Sequence, residues 1–185
     1  MRNSLFLLLV ALVSCSADQS ANQARSTLIK RSATVSTQSG TKDSRSPKRI
    51  RIVPDDHHAV WVGRTDDETL FFVTTPFVPA IDDDGREFAA VFFWNSDGSF
   101  REARLHDLGI RDDLPDGAVG TLVEELVSSL SGARRSAIDV EPFQVEKWGT
   151  TFGLIYTEFE GDEWVELLPG NFMAFTPPWN GYYDT

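Results

Sequence analysis

Carboxylates are the most numerous groups in this 185-residue chain that could do chemistry, with 28 Asp and Glu against 17 Lys and Arg. Glu158 and Glu166 lie in aromatic-rich runs expected to pair as strands, and Glu124 and Glu125 sit beside an apolar helical stripe. Two carboxyl groups about 5 to 10 Å apart are what glycoside cleavage needs. A stretch holding 26 acids from Pro54 onward places many pairs in that range by chance, so these residues do not raise an expectation of catalysis. Asp82-Asp83-Asp84-Gly85 has oxygen ligands and a turning glycine, but a calcium loop of the EF-hand kind needs alternating ligands and a glutamate six positions after the glycine, where this chain has Val91. A solvated turn is the expectation there and at Asp112, Asp113 and Asp116, with helix capping as the role of Asp116.

Three histidines are present, His57, His58 and His106. Neighbours on a strand face opposite ways, so His57 and His58 do not readily share a metal, and capping the start of a strand is a simpler role than ligation with Asp55 or Asp56. No segment has the spacing of a nucleophile elbow, a phosphate-cradling glycine loop, a two-histidine zinc helix or a dinucleotide fingerprint. Neither a cofactor nor a metal is expected. The aromatic run Phe175-Thr176-Pro177-Pro178-Trp179-Asn180-Gly181-Tyr182-Tyr183-Asp184-Thr185 offers Trp179, Asn180, Tyr182 and Tyr183 as candidate binding residues, because rings with polar tips beside amides stack on sugar faces or hold a peptide. The competing reading folds Trp179 back over a sheet edge, where it would serve stability.

The elements that position these groups follow a distinctive leader. Arg2 precedes the apolar run Leu5–Leu12, which has the length of a signal-peptide core and is too short to cross a hydrocarbon layer of about 30 Å. Leu12-Val13-Ser14-Cys15 resembles the lipobox of bacterial lipoprotein precursors. That resemblance covers residues 1–15 and implies diacylation of Cys15, with the membrane as a partner through the lipid. Ser16 in the next position, in place of aspartate, implies an outer-membrane destination. An ordinary secretory peptide cut after Ala17 satisfies the small-residue spacing as well. Cys15 is the one cysteine of the chain, so the mature domain is expected to have no disulfide, thiolate nucleophile or cysteine-held metal.

Charge divides at Val53. Residues 16–53 hold eight basic and two acidic side chains, no aromatic residue and many Ser, Thr, Gln and Asn, a composition expected to stay disordered as a tether. Its bases suit anionic headgroups or, at Lys48-Arg49-Ile50-Arg51, the acidic domain itself. Residues 54–185 hold eight basic and 26 acidic side chains, a net of -18 that repels phosphate and excludes nucleic acid as a partner of the domain.

Within residues 54–185, alternation predicts strands over 59–64 and 69–75 joined by Thr65-Asp66-Asp67-Glu68. A strand at 88–94 is apolar on both faces, hence central, and after the turn Asn95-Ser96-Asp97-Gly98 an outer strand returns over 99–106. Val119, Leu122, Val123, Leu126 and Leu130 recur at helical spacing and predict a helix over 117–131, with Asp116 as N-cap. Strands are expected again over 140–148, 151–159, 163–168 and 172–175. The fold class read from this order is α+β, a mainly antiparallel twisted sheet of about eight short strands on a single helix, with a partly closed β-barrel as the alternative. The expected role is a lipid-anchored envelope module that binds a protein or glycan, with a small carboxylate hydrolase or a purely structural surface protein as alternatives.

Overall fold

The computed structural model describes residues 46–80, 85–170 and 172–185, together with the backbone of 32–36. Cys15 and Asp82, Asp83 and Asp84 lie outside the described residues. Antiparallel sheets and one α-helix make up the described chain, in keeping with the α+β class, and no sheet closes into a barrel among those residues.

Three layers are stacked. The middle one is a sheet in the order β1 (Ser32–Ser36), β7 (Phe100–Ile110), β6 (Arg86–Trp94), β4 (Leu70–Thr74), β3 (Trp61–Arg64) and β8 (Arg134–Arg135), with β5 (Phe77–Val78) also on β6. One face carries the helix α1 (Ala118–Ser128). The other carries a sheet in the order β10 (Phe143–Lys147), β11 (Thr150–Phe159), β12 (Asp162–Leu168), β13 (Ala174–Phe175) and β14 (Tyr183–Asp184). β2 (Ile50–Ile52) pairs with β9 (Ile138–Val140).

The pleat of β6 explains this arrangement. Phe88, Ala90, Phe92 and Trp94 enter the core shared with Phe143, Phe152, Leu154, Val165 and Leu167, whereas Ala89, Val91 and Phe93 point to the helix side. From Phe88 to Trp94 every residue is buried, as a strand with two apolar faces requires. Leu122 and Leu130 anchor the helix layer, while Val123, Leu126 and Val127 are half-buried beside them.

Several expectations are corrected. The domain boundary at position 53 is too late, because Ile50 and Ile52 are fully buried in the core and residues 32–36 form a strand within the stretch expected to be disordered. A polar segment orders here because β7 supplies a ready ladder partner. For the same reason β7 is not an outer strand, since β1 lies beyond it. The helix spans 118–128, not 117–131. Gly117, in the left-handed region at φ 75°, takes the N-cap position with no side-chain cap, and Asp116 is exposed outside it. The strand expected over 140–148 breaks at Glu141-Pro142, and the two halves join different sheets. Glu141 then bonds outward, its N–H to the Gly98 carbonyl at 2.9 Å and its carbonyl to Trp94 Nε1 at 3.0 Å.

Gly98 closes the β6–β7 turn at φ 81°, donating its N–H to the Asn95 carbonyl at 2.8 Å. A Cβ there would stand 2.2 Å from the Asp139 carbonyl oxygen, so both conformation and space require glycine.

Candidate functional site

Antiparallel register decides which carboxylates meet. On β11 and β12, Glu158 stands opposite Glu163, Thr157 opposite Trp164 and Ile155 opposite Glu166. Paired residues share a face and successive residues alternate, so Glu158 and Glu166 project from opposite faces of this sheet. The carboxylate pair suggested for glycoside cleavage is therefore not assembled. Glu166 instead accepts hydrogen bonds from Thr157 Oγ1 at 3.2 Å and Trp164 Nε1 at 3.3 Å. On the other face, Tyr156 Oη lies 3.1 Å from Glu163 Oε2 and 3.3 Å from Glu158 Oε2. Burial, and then the two carboxylates it faces, push the Tyr156 hydroxyl up to about 12.

Between the β11–β12 turn and the strand β14 lies an open groove of about 600 Å³. Asp162, Glu163, Trp164, Thr176, Pro177 and Asp184 line it, together with Gly161 and Ala174. Among the described residues its charged lining groups are all carboxylates, Trp164 contributes an indole, and no basic side chain lines it. The β11–β12 turn that forms one wall passes through Glu160 and Gly161, both at positive φ, so Asp162 leads straight back into the sheet. Phe159 and Tyr182, 64% and 69% exposed, are large apolar side chains left at the surface in the two segments that flank the groove.

The four candidate residues of the aromatic run part company. Trp179 is half-buried against the main core at φ 65°, and its carbonyl accepts the Arg51 N–H at 2.9 Å. Tyr183 packs on Phe175 with ring centroids 5.5 Å apart and donates its hydroxyl to Asp55 Oδ2. Both side chains contribute to packing. Asn180 is exposed and its Oδ1 accepts the Tyr182 N–H at 3.3 Å, while Tyr182 is open to solvent. Asp162, Trp164, Pro177 and Asp184 were not singled out from sequence. The available signal was the pairing of Trp164 with a polar-ended hairpin, which needs the register before it has meaning.

Histidines lie elsewhere. His58 packs on Phe172 at 5.1 Å between centroids and on Tyr183 at 6.3 Å, in the loop before β3. His106 is half-buried on β7, its Nδ1 meeting no hydrogen-bond partner among the described residues, and burial followed by the Arg104 charge holds it below its ordinary value. Among the described residues no three of His, Cys, Asp and Glu stand close enough to hold a metal ion. Asp112, Asp113 and Asp116 are exposed, the first two in a single 3-10 turn. No helix among the described residues is long and apolar enough to cross a membrane.

A smaller cavity of about 310 Å³ between the end of the helix and β7 contains both signs of charge, but they are engaged locally. Arg104 pairs with Glu102 at 2.8 Å and lies over the Phe93 ring, and Arg101 donates to Thr69 Oγ1 at 3.2 Å. No protein-family model, no curated protein and no solved structure matches the chain.

Proposed function

We propose that this protein is a lipid-anchored component of a bacterial envelope whose domain binds a positively charged segment of a partner in the groove bounded by Asp162, Trp164 and Asp184. The observation that carries this reading is the composition of the groove: carboxylates and an indole face one open concavity, and no basic side chain among the described residues lines it. A lysine or arginine placed there would gain Coulomb attraction to the acids and stack on the indole, a contact of about 0.5 to 2 kcal/mol depending on how dry it becomes. The surrounding charge of -18 over residues 54–185 would steer such a partner towards the domain and repel acidic polymers. Anchoring belongs to Cys15, on which two acyl chains would make attachment stable where a single chain gives reversible binding.

Two experiments test the two halves. Labelled palmitate should enter the wild-type protein and not the Cys15→Ala variant; equal labelling of both removes the anchor. For the groove, a fluorescent oligolysine peptide should bind the wild-type chain and lose about tenfold or more with Asp162→Ala/Asp184→Ala or with Trp164→Ala. The control is Asp112→Ala/Asp113→Ala, which removes the same charge from an exposed turn. Equal loss in that control would mean that bulk charge, and not the groove, does the binding.

A further inference from the structure

Of the two faces of the sheet that runs from β10 to β14, one enters the main core and the other carries no further layer among the described residues. Register lays out that outer face. Phe159 stands opposite Asp162, Thr157 opposite Trp164, and Ile155 opposite Glu166, with Ala174 and then Asp184 continuing the last row. The hydrogen bonds that Glu166 accepts from Thr157 and Trp164 link neighbours on this one face. The acidic groove is the part of it beside the β11–β12 turn.

This face is apolar at its centre and acidic around it. Ile155, Trp164 and Leu168 are half-buried in the sheet yet join none of the core clusters among the described residues, and Phe159 beside them is largely exposed. The charged residues in its register are Asp162, Glu166 and Asp184, with Glu146 opposite Thr151 at the β10 side. Lys147, the one base between Phe143 and Asp184, stands opposite Thr150 on the other side of the pleat, with Val145. An apolar centre bordered by one sign of charge fits a partner that is apolar along one stripe and basic beside it.

A sheet face offers side chains and no backbone groups, so the N–H and C=O groups of whatever lies flat on it have to be satisfied within the partner itself. A helix meets that condition and an extended segment does not. From Leu168 to Asp162 the face runs about 20 Å along β12 at about 3.3 Å per residue, the length of about thirteen helical residues. A second copy of this chain does not fit, because its matching face would set acids against acids. We propose that the outer face of β11 and β12 is the docking surface for a basic amphipathic helix of a partner protein, a deepening that rests on the reading of the groove as a cation site. The apolar stripe of that helix lies on Ile155, Phe159 and Trp164, and the Lys or Arg beside it reach Asp162 and Asp184.

Two fluorescent peptides of the same lysine and leucine composition test it on the wild-type chain. One has leucine at every third and fourth position, which gives a helix a single apolar stripe, and the other has the order shuffled so that no stripe forms. The striped peptide should bind about tenfold or more tighter than the shuffled one and turn helical by circular dichroism as it binds. Phe159→Ser and Ile155→Ser should each remove most of that preference while leaving oligolysine binding unchanged. Phe159 is largely exposed, so its variant decides the matter should Ile155→Ser impair folding. Equal affinity for the two peptides, or a preference that survives both substitutions, overturns the helix surface. If oligolysine binding still falls with Asp162→Ala/Asp184→Ala, the groove reading then stands without it. Striped-peptide binding that is indifferent to Asp162→Ala/Asp184→Ala also overturns it, since the basic flank would have no seat. A dimer of the chain alone, dissociated by Phe159→Ser in sedimentation, overturns it in favour of a second copy.

Discussion

The Tyr183 hydroxyl donates to Asp55 Oδ2 across 128 positions of sequence, fastening β14 to the loop that precedes β3. The same carboxylate accepts the N–H groups of His57 at 2.8 Å and Ala59 at 2.9 Å through Oδ1. Burial works to raise Asp55, but the bonds from Tyr183 and these two amides outweigh it and hold the carboxyl below its ordinary value. Burial and the facing carboxylate push the Tyr183 hydroxyl up to about 12.

Tyr183→Phe should therefore cost about 1 to 2 kcal/mol at neutral pH, the net worth of a partly exposed hydrogen bond to a charged acceptor. The two shifts fix how that cost changes with pH. Asp55 titrates lower when folded, so its contribution is present above about pH 4 and is lost as pH falls through the depressed value. Tyr183 titrates higher when folded, so its contribution is present below about pH 10 and is lost as pH rises towards 12. Urea midpoints of wild type and variant should converge at both extremes; a gap of constant size from about pH 3 to pH 11 would show that the charged carboxylate is not the acceptor.

Helix anchoring should follow burial. Leu122 is 6% exposed whereas Leu126 is half-buried at the margin of the same layer. Leu122→Ala should cost about 2 to 4 kcal/mol and Leu126→Ala about half that, because a partly exposed site leaves a smaller cavity. Chemical denaturation that reverses this order would place the helix differently on the sheet.

Gly98→Ala should destabilise by about 2 kcal/mol or more. Its φ of 81° alone costs a residue with a Cβ about 1 to 2 kcal/mol, and the added carbon meets the Asp139 carbonyl at 2.2 Å. A thermal midpoint unchanged from wild type would mean that the turn can rebuild without this approach of β9 to the β6–β7 turn.

At the far end of the same strand pair, Arg86 grips Asp107 with two hydrogen bonds, Nε to Oδ1 at 3.0 Å and Nη2 to Oδ2 at 2.7 Å. The two partners are unequal, since the Asp107 side chain is 6% exposed and that of Arg86 45%. Arg86→Ala leaves a buried carboxylate that, among the described residues, keeps the Gly109 N–H at 3.0 Å, and should cost about 2 to 4 kcal/mol. Asp107→Asn leaves a guanidinium that is 45% exposed and should cost less. Equal losses in the two variants would argue against a desolvated carboxylate as the source of the effect.

Layering was legible in the sequence where one segment answered to a single period. Phe88 to Trp94 is apolar on both faces of a strand, and that pattern is met by a helix on one side and a sheet on the other. The spacing of Leu122 and Leu130 likewise identified the helix, although Asp116 misled at its start because Gly117 turns the chain before any side chain can cap it. What stayed hidden was long-range pairing. Ser32–Ser36 has nothing in its composition that demands a strand, and acquires one only because β7 offers open hydrogen-bonding groups. The candidate groove was hidden for the same reason: Asp162 and Asp184 are ordinary acids until β12, β13 and β14 are laid side by side. Of the aromatic run, Trp179 and Tyr183 could be read as either packing or binding residues, and both are partly buried against the core.

Because β6 has a roof of helix on one side and a second sheet on the other, solvent cannot reach its amides by peeling away either layer alone. Deuterium should enter those peptide groups more slowly than anywhere else in the molecule, at a rate set by complete unravelling of the domain, while β10 and β14, the outer strands of their sheet among the described residues, should take up label through local fraying.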